Sequence, residues 1–266
     1  MPTGTIGQAP GARPQPSTGL GAVTALILAG GLGTRLRAVV PDRPKVLAPV
    51  AGRPFLTFLL DQLAEAGIGR LILCTGYLGE QIRGRLGPTY RELRIQYSQE
   101  AAPLGTGGAL RQAQRLIDAG TALVMNGDSF CEVDLAEFRA WHQERHAAAS
   151  MLVRWVPDAR RFGRVRVDEA GLIRGFEEKG GPEGGGWINA GIYWLSLDLI
   201  RTIPSGVAIS LEREVLPVWV EAGLVHGCPG EGAFLDIGTP EAYREAESFF
   251  GKHACVLGAE REGRGS

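Results

Sequence analysis

Short runs of β-branched and leucine residues alternate along this chain with longer stretches whose apolar positions recur every three or four residues. Residues 22–28 form an apolar run ending in glycines, the pattern of a strand buried on both faces of a parallel sheet. Between residues 54 and 66, Leu56, Leu59, Leu60 and Leu63 fall on one helical face, and Pro54 suits a first-turn position. The same reading predicts strands over 71–75, 93–97 and 122–125, and helices over 79–86, 108–117 and 135–146. After about residue 148 the rhythm turns to strands, over 151–155, 164–167, 172–176 and 187–194, with Asp168-Glu169-Ala170-Gly171 as a hairpin turn. Helical spacing returns over 211–220 and 240–250. The predicted fold class is α/β: a single domain with a Rossmann-like, mixed, mostly parallel sheet covered by helices on both faces. Such sheets bind ligands outside the carboxyl ends of their strands.

The ends of the chain lack this patterning. Residues 1–21 hold four prolines, five glycines and almost no large apolar side chain, which predicts a disordered leader. Residues 251–266 are polar and glycine-rich, which predicts a flexible tail after a domain spanning 22–250.

Composition narrows the function classes. The 266 residues are 44% apolar and carry 28 basic against 29 acidic side chains, a net charge of −1. A general nucleic-acid or membrane-surface binder needs a cationic surplus that is missing here. No apolar run approaches the ~20 residues of a membrane span, and no secretion signal is visible. Cys74, Cys131, Cys228 and Cys255 are scattered without a CxxC pair, which argues against a disulfide scaffold or structural zinc. A cytoplasmic location is expected. His142 and His146 share a predicted helix face and are expected to be exposed, without a role; Trp141, Trp155 and Trp194 are expected to pack.

The 39 glycines are about twice the usual ~7% share, and they gather in loops after apolar runs. The first such loop is Leu28-Ala29-Gly30-Gly31-Leu32-Gly33-Thr34-Arg35-Leu36. Its glycines let main-chain N–H groups turn toward an anion, and Arg35 adds a planar fork of donors. A dinucleotide fingerprint would need glycine at Leu36, and a P-loop would need Gly-Lys-Ser/Thr, so both are excluded. Lys45 stands between Pro44 and Val46 in a chain where 25 of the 28 basic residues are arginine. Lysine there supplies a compact point charge for one phosphate oxygen. Asp128 and Asp236 each close an apolar run, and as a pair at the sheet edge they are candidate Mg²⁺ ligands. Residues 103–109 make a second glycine loop, readable as a helix cap or as a flat surface against a base or ribose.

In this order these segments resemble the sugar-1-phosphate nucleotidyltransferases, from about Val23 to Phe250. Gly30 to Leu36 with Pro44-Lys45 carries the resemblance to the superfamily. Ala51-Gly52-Arg53-Pro54-Phe55-Leu56, Tyr97-Ser98-x-Glu100, Gly175-Phe176-Glu177-Glu178-Lys179 and Ile188-Asn189-Ala190-Gly191-Ile192-Tyr193 resemble the D-glycero-D-manno-heptose 1-phosphate guanylyltransferases. Val46 departs from the pattern, where relatives usually carry proline. The resemblance implies transfer of GMP from GTP to a sugar 1-phosphate, with pyrophosphate released. It implies base and ribose contacts at Ala29, Gly30, Gly105 and Thr106, with Leu28 and Gly31 beside them. Gly33, Thr34 and Arg35 would hold the β- and γ-phosphates and Lys45 the α-phosphate. Asp128 and Asp236 would bind Mg²⁺, Gly163, Glu178 and Asn189 would face the sugar, and Lys179 its phosphate. Tyr77 and Glu100 are the places where base choice would be read. The expected partners are the NTP and the sugar 1-phosphate, with neither nucleic acid nor membrane; assembly into a homo-oligomer is compatible with the sequence. A uridylyl- or thymidylyltransferase is the alternative in the same reaction class. A metal-dependent glycosyltransferase and a non-catalytic regulator are more distant, since Asn126-Gly127-Asp128 lacks an Asp-x-Asp motif and the charged residues of the pattern are all kept.

Overall fold

The computed structural model describes residues 19–177 and 183–262, with side chains described through Gly251. Glu178, Lys179 and the predicted leader up to residue 18 lie outside the described residues, as do the last four residues of the predicted tail.

A 3-10 turn (Leu20–Ala22) leads into β1 (Thr24–Leu28). β2 (Pro49–Val50) and β3 (Arg53–Pro54) make a small ladder ahead of α1 (Leu56–Glu65). There follow β4 (Arg70–Thr75), α2 (Gly79–Leu86), β5 (Thr89–Tyr90), β6 (Leu93–Gln99) and α3 (Gly105–Ala113). Next come β7 (Thr121–Asn126), β8 (Ser129–Cys131) and α4 (Leu135–Glu144). The second half holds β9 (Ala149–Val156), β10 (Val165–Val167), β11 (Ile173–Phe176), β12 (Gly186–Ser196) and α5 (Leu197–Arg201). It closes with α6 (Leu216–Glu221), β13 (Val225–Gly230), β14 (Phe234–Asp236) and α7 (Pro240–Glu262).

Eight strands form one sheet in the order β13-β9-β12-β7-β1-β4-β6-β5. β1 sits between β4 and β7, parallel to both, with Ile27 opposite Leu73 and Met125. Only β12 and β5 run against the common direction. Because both faces of β1 are covered, its five residues need no polar alternation. Successive side chains still point to opposite faces. Ala25 and Ile27 join the core under α1, α4 and α7, while Leu26 and Leu28 join the core under α3, α5 and α6. The chain thus adopts the predicted α/β architecture with helices on both faces. No described helix is long and apolar enough to cross a membrane.

Local readings differ in four places. Leu20, inside the predicted leader, is fully buried in the core under α1. α7 continues past its predicted end at residue 250, since no proline interrupts the segment that follows. His142 is buried rather than exposed: its Nδ1 lies 2.8 Å from Ser150 Oγ and its ring stacks beside Trp194. Burial lowers its pKa to about 4, so the imidazole stays neutral. Trp155, expected to pack, is half exposed and meets Trp187 edge-on.

Candidate functional site

β1, β6 and β7 deliver their carboxyl ends to one cleft of roughly 400 Å³, a size suited to a small ligand. Leu28, Ala29, Gly30, Gly31, Gly33, Thr34 and Arg35 line it from the loop after β1. Gly33 adopts φ +60°, and a Cβ there would stand 3.3 Å from Lys45 Cβ, so both conformation and space favour glycine. The N–H groups of Leu36 and Arg37 donate to the Gly33 carbonyl, at 3.0 and 3.2 Å. Leu36 and Val40 then pack with Ala48 in a small core of their own. That anchor holds Thr34 and Arg35 at the cleft, where the Arg35 guanidinium makes no hydrogen bond or ion pair with another described residue.

Lys45 opens a 3-10 turn (Lys45–Leu47) whose other two residues, Val46 and Leu47, are buried in the main core. Only 11% of the Lys45 side chain is exposed, and its Nζ donates to Asp128 Oδ2 at 2.7 Å. A partly buried, charge-assisted bond of this kind fixes both partners. β8 and β14 pair antiparallel with Asp236 opposite Ser129, and the Ile237 N–H donates to the Asp128 carbonyl at 2.9 Å. Asp128 and Asp236 therefore stand on adjoining strand ends. Asp236 does not itself line the cleft; its Oδ1 accepts from the N–H of Gly238, which does.

Glu100 faces the cleft from the end of β6. Its Oε2 accepts the Leu104 N–H at 2.7 Å, and its Oε1 lies 2.7 Å from where a Cβ on Gly30 would stand. Burial raises the pKa of this carboxyl, and the Leu104 N–H partly offsets the rise.

The second glycine loop answers to packing more than to a ligand. The Ile209 carbonyl oxygen lies 2.6 Å from where a Gly105 Cβ would stand and 3.1 Å from that of Gly107; the Val207 oxygen lies 2.6 Å from that of Gly108. Gly107 and Gly108 N–H groups donate to the Ile209 carbonyl at 3.0 and 3.2 Å. The segment 207–211 thus covers Gly107 and Gly108, leaving Pro103, Gly105, Thr106 and Ala109 at the cleft.

Besides Asp236, three predicted contacts are not brought to the cleft. Tyr77 lies on the surface beneath the Arg37 guanidinium, 4.5 Å from its ring centre. Gly163 closes a turn by donating its N–H to the Ala159 carbonyl at 3.1 Å. Asn189 uses its amide locally, donating to the Tyr193 hydroxyl at 2.7 Å and accepting the Gly191 N–H at 2.9 Å. β12 shifts register against β9 between Asn189 and Tyr193, which apolar spacing does not reveal. Conversely, Asn126 and Glu212 line the cleft without having been singled out. Asn126 had a signal, since it ends an apolar run two residues before Asp128. Glu212 had none, because an acid just after Ser210 reads as an ordinary helix start.

A cleft lined by two cations, Arg35 and Lys45, together with Glu100, Asp128 and Glu212 suits an anionic ligand that also carries neutral hydrogen-bond donors. The family model described as "Nucleotidyl transferase" matches residues 24–253. A D-glycero-alpha-D-manno-heptose 1-phosphate guanylyltransferase of Campylobacter jejuni is 36% identical over 219 residues, covering 82% of this chain and 96% of that protein. A mannose-1-phosphate guanylyltransferase of Mycobacterium tuberculosis is 38% identical over 224 residues, covering 83% of this chain; the match spans only 62% of that longer protein. Among solved structures, HddC from Yersinia pseudotuberculosis complexed with GMP-PN is 34% identical with a TM-score of 0.77, covering 86% of this chain and 99% of that one. The glycine loop, the lysine turn and the sheet that presents them all fall within the stretch matched by the family model, and the chain belongs to the nucleotidyl transferase family.

Proposed function

We propose that the protein transfers GMP from GTP to D-glycero-D-manno-heptose 1-phosphate, forming a GDP-sugar and pyrophosphate. The carrying observation is the set of groups gathered in one cleft: Arg35 and the nearly buried Lys45 beside the glycine loop, with the Glu100 carboxylate against Gly30. Two phosphorylated substrates need cations where their charges meet, and alignment for in-line attack. On this reading Gly33, Thr34 and Arg35 hold the β- and γ-phosphates and Lys45 the α-phosphate. The acceptor phosphate oxygen is already an anion, so it needs no side-chain base, and none of the described cleft residues is a histidine. It bonds to the α-phosphorus as the bond to the bridging oxygen breaks, and pyrophosphate leaves with that electron pair. Lys179 is assigned to the sugar phosphate and Glu178 to the sugar.

The carboxylates of Asp128 and Asp236, on adjoining strand ends, are the hard oxygen donors that suit Mg²⁺. They would hold a magnesium ion, which would supply further neutralisation of phosphate charge.

Guanine presents N1–H and the exocyclic amine side by side, and an ionised carboxylate is an acceptor-only group that takes both. Uracil and thymine present carbonyl oxygens on either side of one N–H, which Glu100 would repel. The acceptor assignment rests on length, since the two relatives are about equally identical to this chain, at 36% and 38%. The match spans 96% of the heptose 1-phosphate relative but 62% of the mannose 1-phosphate one. On this reading the partners are small substrates, and the enzyme works in the cytoplasm.

Pyrophosphate release with magnesium, each NTP and a panel of sugar 1-phosphates tests the assignment. GTP with the manno-heptose acceptor is expected to give the highest kcat/KM. Glu100→Gln is expected to lower kcat/KM for GTP about tenfold or more, and to narrow its advantage over UTP, because one acceptor becomes a donor. Release with UTP alone contradicts the guanylyl assignment, and release with none contradicts nucleotidyl transfer.

A further inference from the structure

The segment 207–211 does more than cover the second glycine loop; it carries an acid into the cleft. Leu211–Val215 forms a π-turn, a widened helical turn of a kind that gathers at functional sites. The Val215 N–H reaches the Ser210 carbonyl at 3.1 Å, five residues back. Ser210 Oγ accepts the Arg213 N–H at 3.2 Å, and Glu214 Oε2 accepts the Ser210 N–H at 2.8 Å. Leu211 and Val215 are buried under α3, and the Leu211 N–H donates to Thr106 Oγ1 at 2.8 Å. With the turn held in this way, Glu212 stands in the wall of the cleft.

Glu212 is only partly satisfied there. Oε2 accepts from Thr106 Oγ1 at 2.7 Å and from Ser210 Oγ at 3.2 Å. Among the described residues Oε1 accepts only from Asn126 Nδ2, at a long 3.4 Å. A carboxylate offers about four acceptor sites, so Oε1 keeps unused acceptor capacity. Asn126 shares the shortfall: its Oδ1 is buried with no hydrogen-bond partner, which buried polar atoms rarely tolerate. This corner of acceptors repels phosphate and needs donors. Both substrates carry such donors in their sugar hydroxyls, whichever base the nucleotide bears.

We propose that Glu212 is a specificity-determining residue that accepts hydrogen bonds from sugar hydroxyls in the cleft, those of the ribose or of the acceptor. The inference rests on the nucleotidyl-transfer reading but not on the choice of base. Thr106 is then a positioning residue, its hydroxyl aiming Glu212 rather than meeting the nucleotide.

The test uses Glu212→Gln in the full chain, with KM for each substrate measured separately by pyrophosphate release. Glutamine still accepts from Thr106 but replaces one acceptor with a donor. The KM of the substrate bound by Glu212 is expected to rise about tenfold or more, with kcat changed less and the other KM within about twofold. Analogues lacking one hydroxyl identify the source: 2′-deoxy- and 3′-deoxy-GTP for the ribose, 2-deoxy and 3-deoxy acceptors for the sugar. With the right analogue the variant and the wild type are expected to perform alike. Both KM values unchanged, or an equal penalty on parent and all deoxy substrates, would show that Glu212 merely braces the strap. If Glu212→Gln lowers the thermal unfolding midpoint, Glu212→Asp, which keeps the charge but withdraws it, is put through the same comparison and judged by the same two outcomes. If the wild type uses UTP, the 2′-deoxy and 3′-deoxy forms of UTP replace those of GTP, so failure of the base assignment leaves this test standing.

Discussion

Alanine in place of Lys45 is expected to lower turnover about 10²-fold or more without unfolding the protein, the scale of losing one transition-state charge contact. Lys45 is one of two described cations lining the cleft, and its ammonium is held nearly buried by Asp128. Removing it takes away a positive charge and also leaves the Asp128 carboxylate unopposed where phosphates must approach. The backbone of the turn is kept in place by Val46 and Leu47, which are buried in the main core, so the lesion stays local. Steady-state pyrophosphate release, with a thermal unfolding curve as control, reads both halves of the expectation. Near-normal turnover would reduce Lys45 to the structural partner of Asp128.

Asparagine in place of Asp128 is expected to be at least as severe, about 10³-fold, with magnesium-dependent activity lost. The substitution is nearly isosteric, and the contact that joins Asp128 to β14 runs through its backbone carbonyl, which the change leaves alone. An amide oxygen can still accept from Lys45, so the difference lies in the lost negative charge. A magnesium titration of the variant checks this directly. A curve superimposable on that of the wild type would remove Asp128 from the metal assignment.

Much of the scaffold was legible in the sequence because burial on both faces leaves a plain signature. The apolar run that becomes β1, the leucine stripe of α1 and the glycine loop with Arg35 needed no structure to be found. Lys45 stood out because the rest of the chain favours arginine. What stayed hidden depends on contacts between distant segments. The pairing of β8 with β14, which sets Asp128 beside Asp236, joins two strands of three residues each, too short for any periodicity. The packing of Val207 and Ile209 against Gly107 and Gly108 was hidden, because nothing local to the second glycine loop announces it. The sugar contact at Asn189 came from the family resemblance, and nothing in its own spacing announces the bond from its amide to Tyr193 or the register shift of β12 against β9 between the two. His142 looked exposed because Ser150 and Trp194, which bury it, lie on other elements.

The central claim is that the bond broken in GTP lies between the α-phosphorus and the bridging oxygen, and it can be followed with label. GTP carrying ³²P at the α-position is incubated with the manno-heptose 1-phosphate and magnesium, in parallel with GTP labelled at the γ-position. The α-label is expected to appear in the sugar nucleotide and the γ-label in pyrophosphate, in equal amounts. Label from the γ-position in the sugar product, or α-label released only as free GMP, would contradict the account.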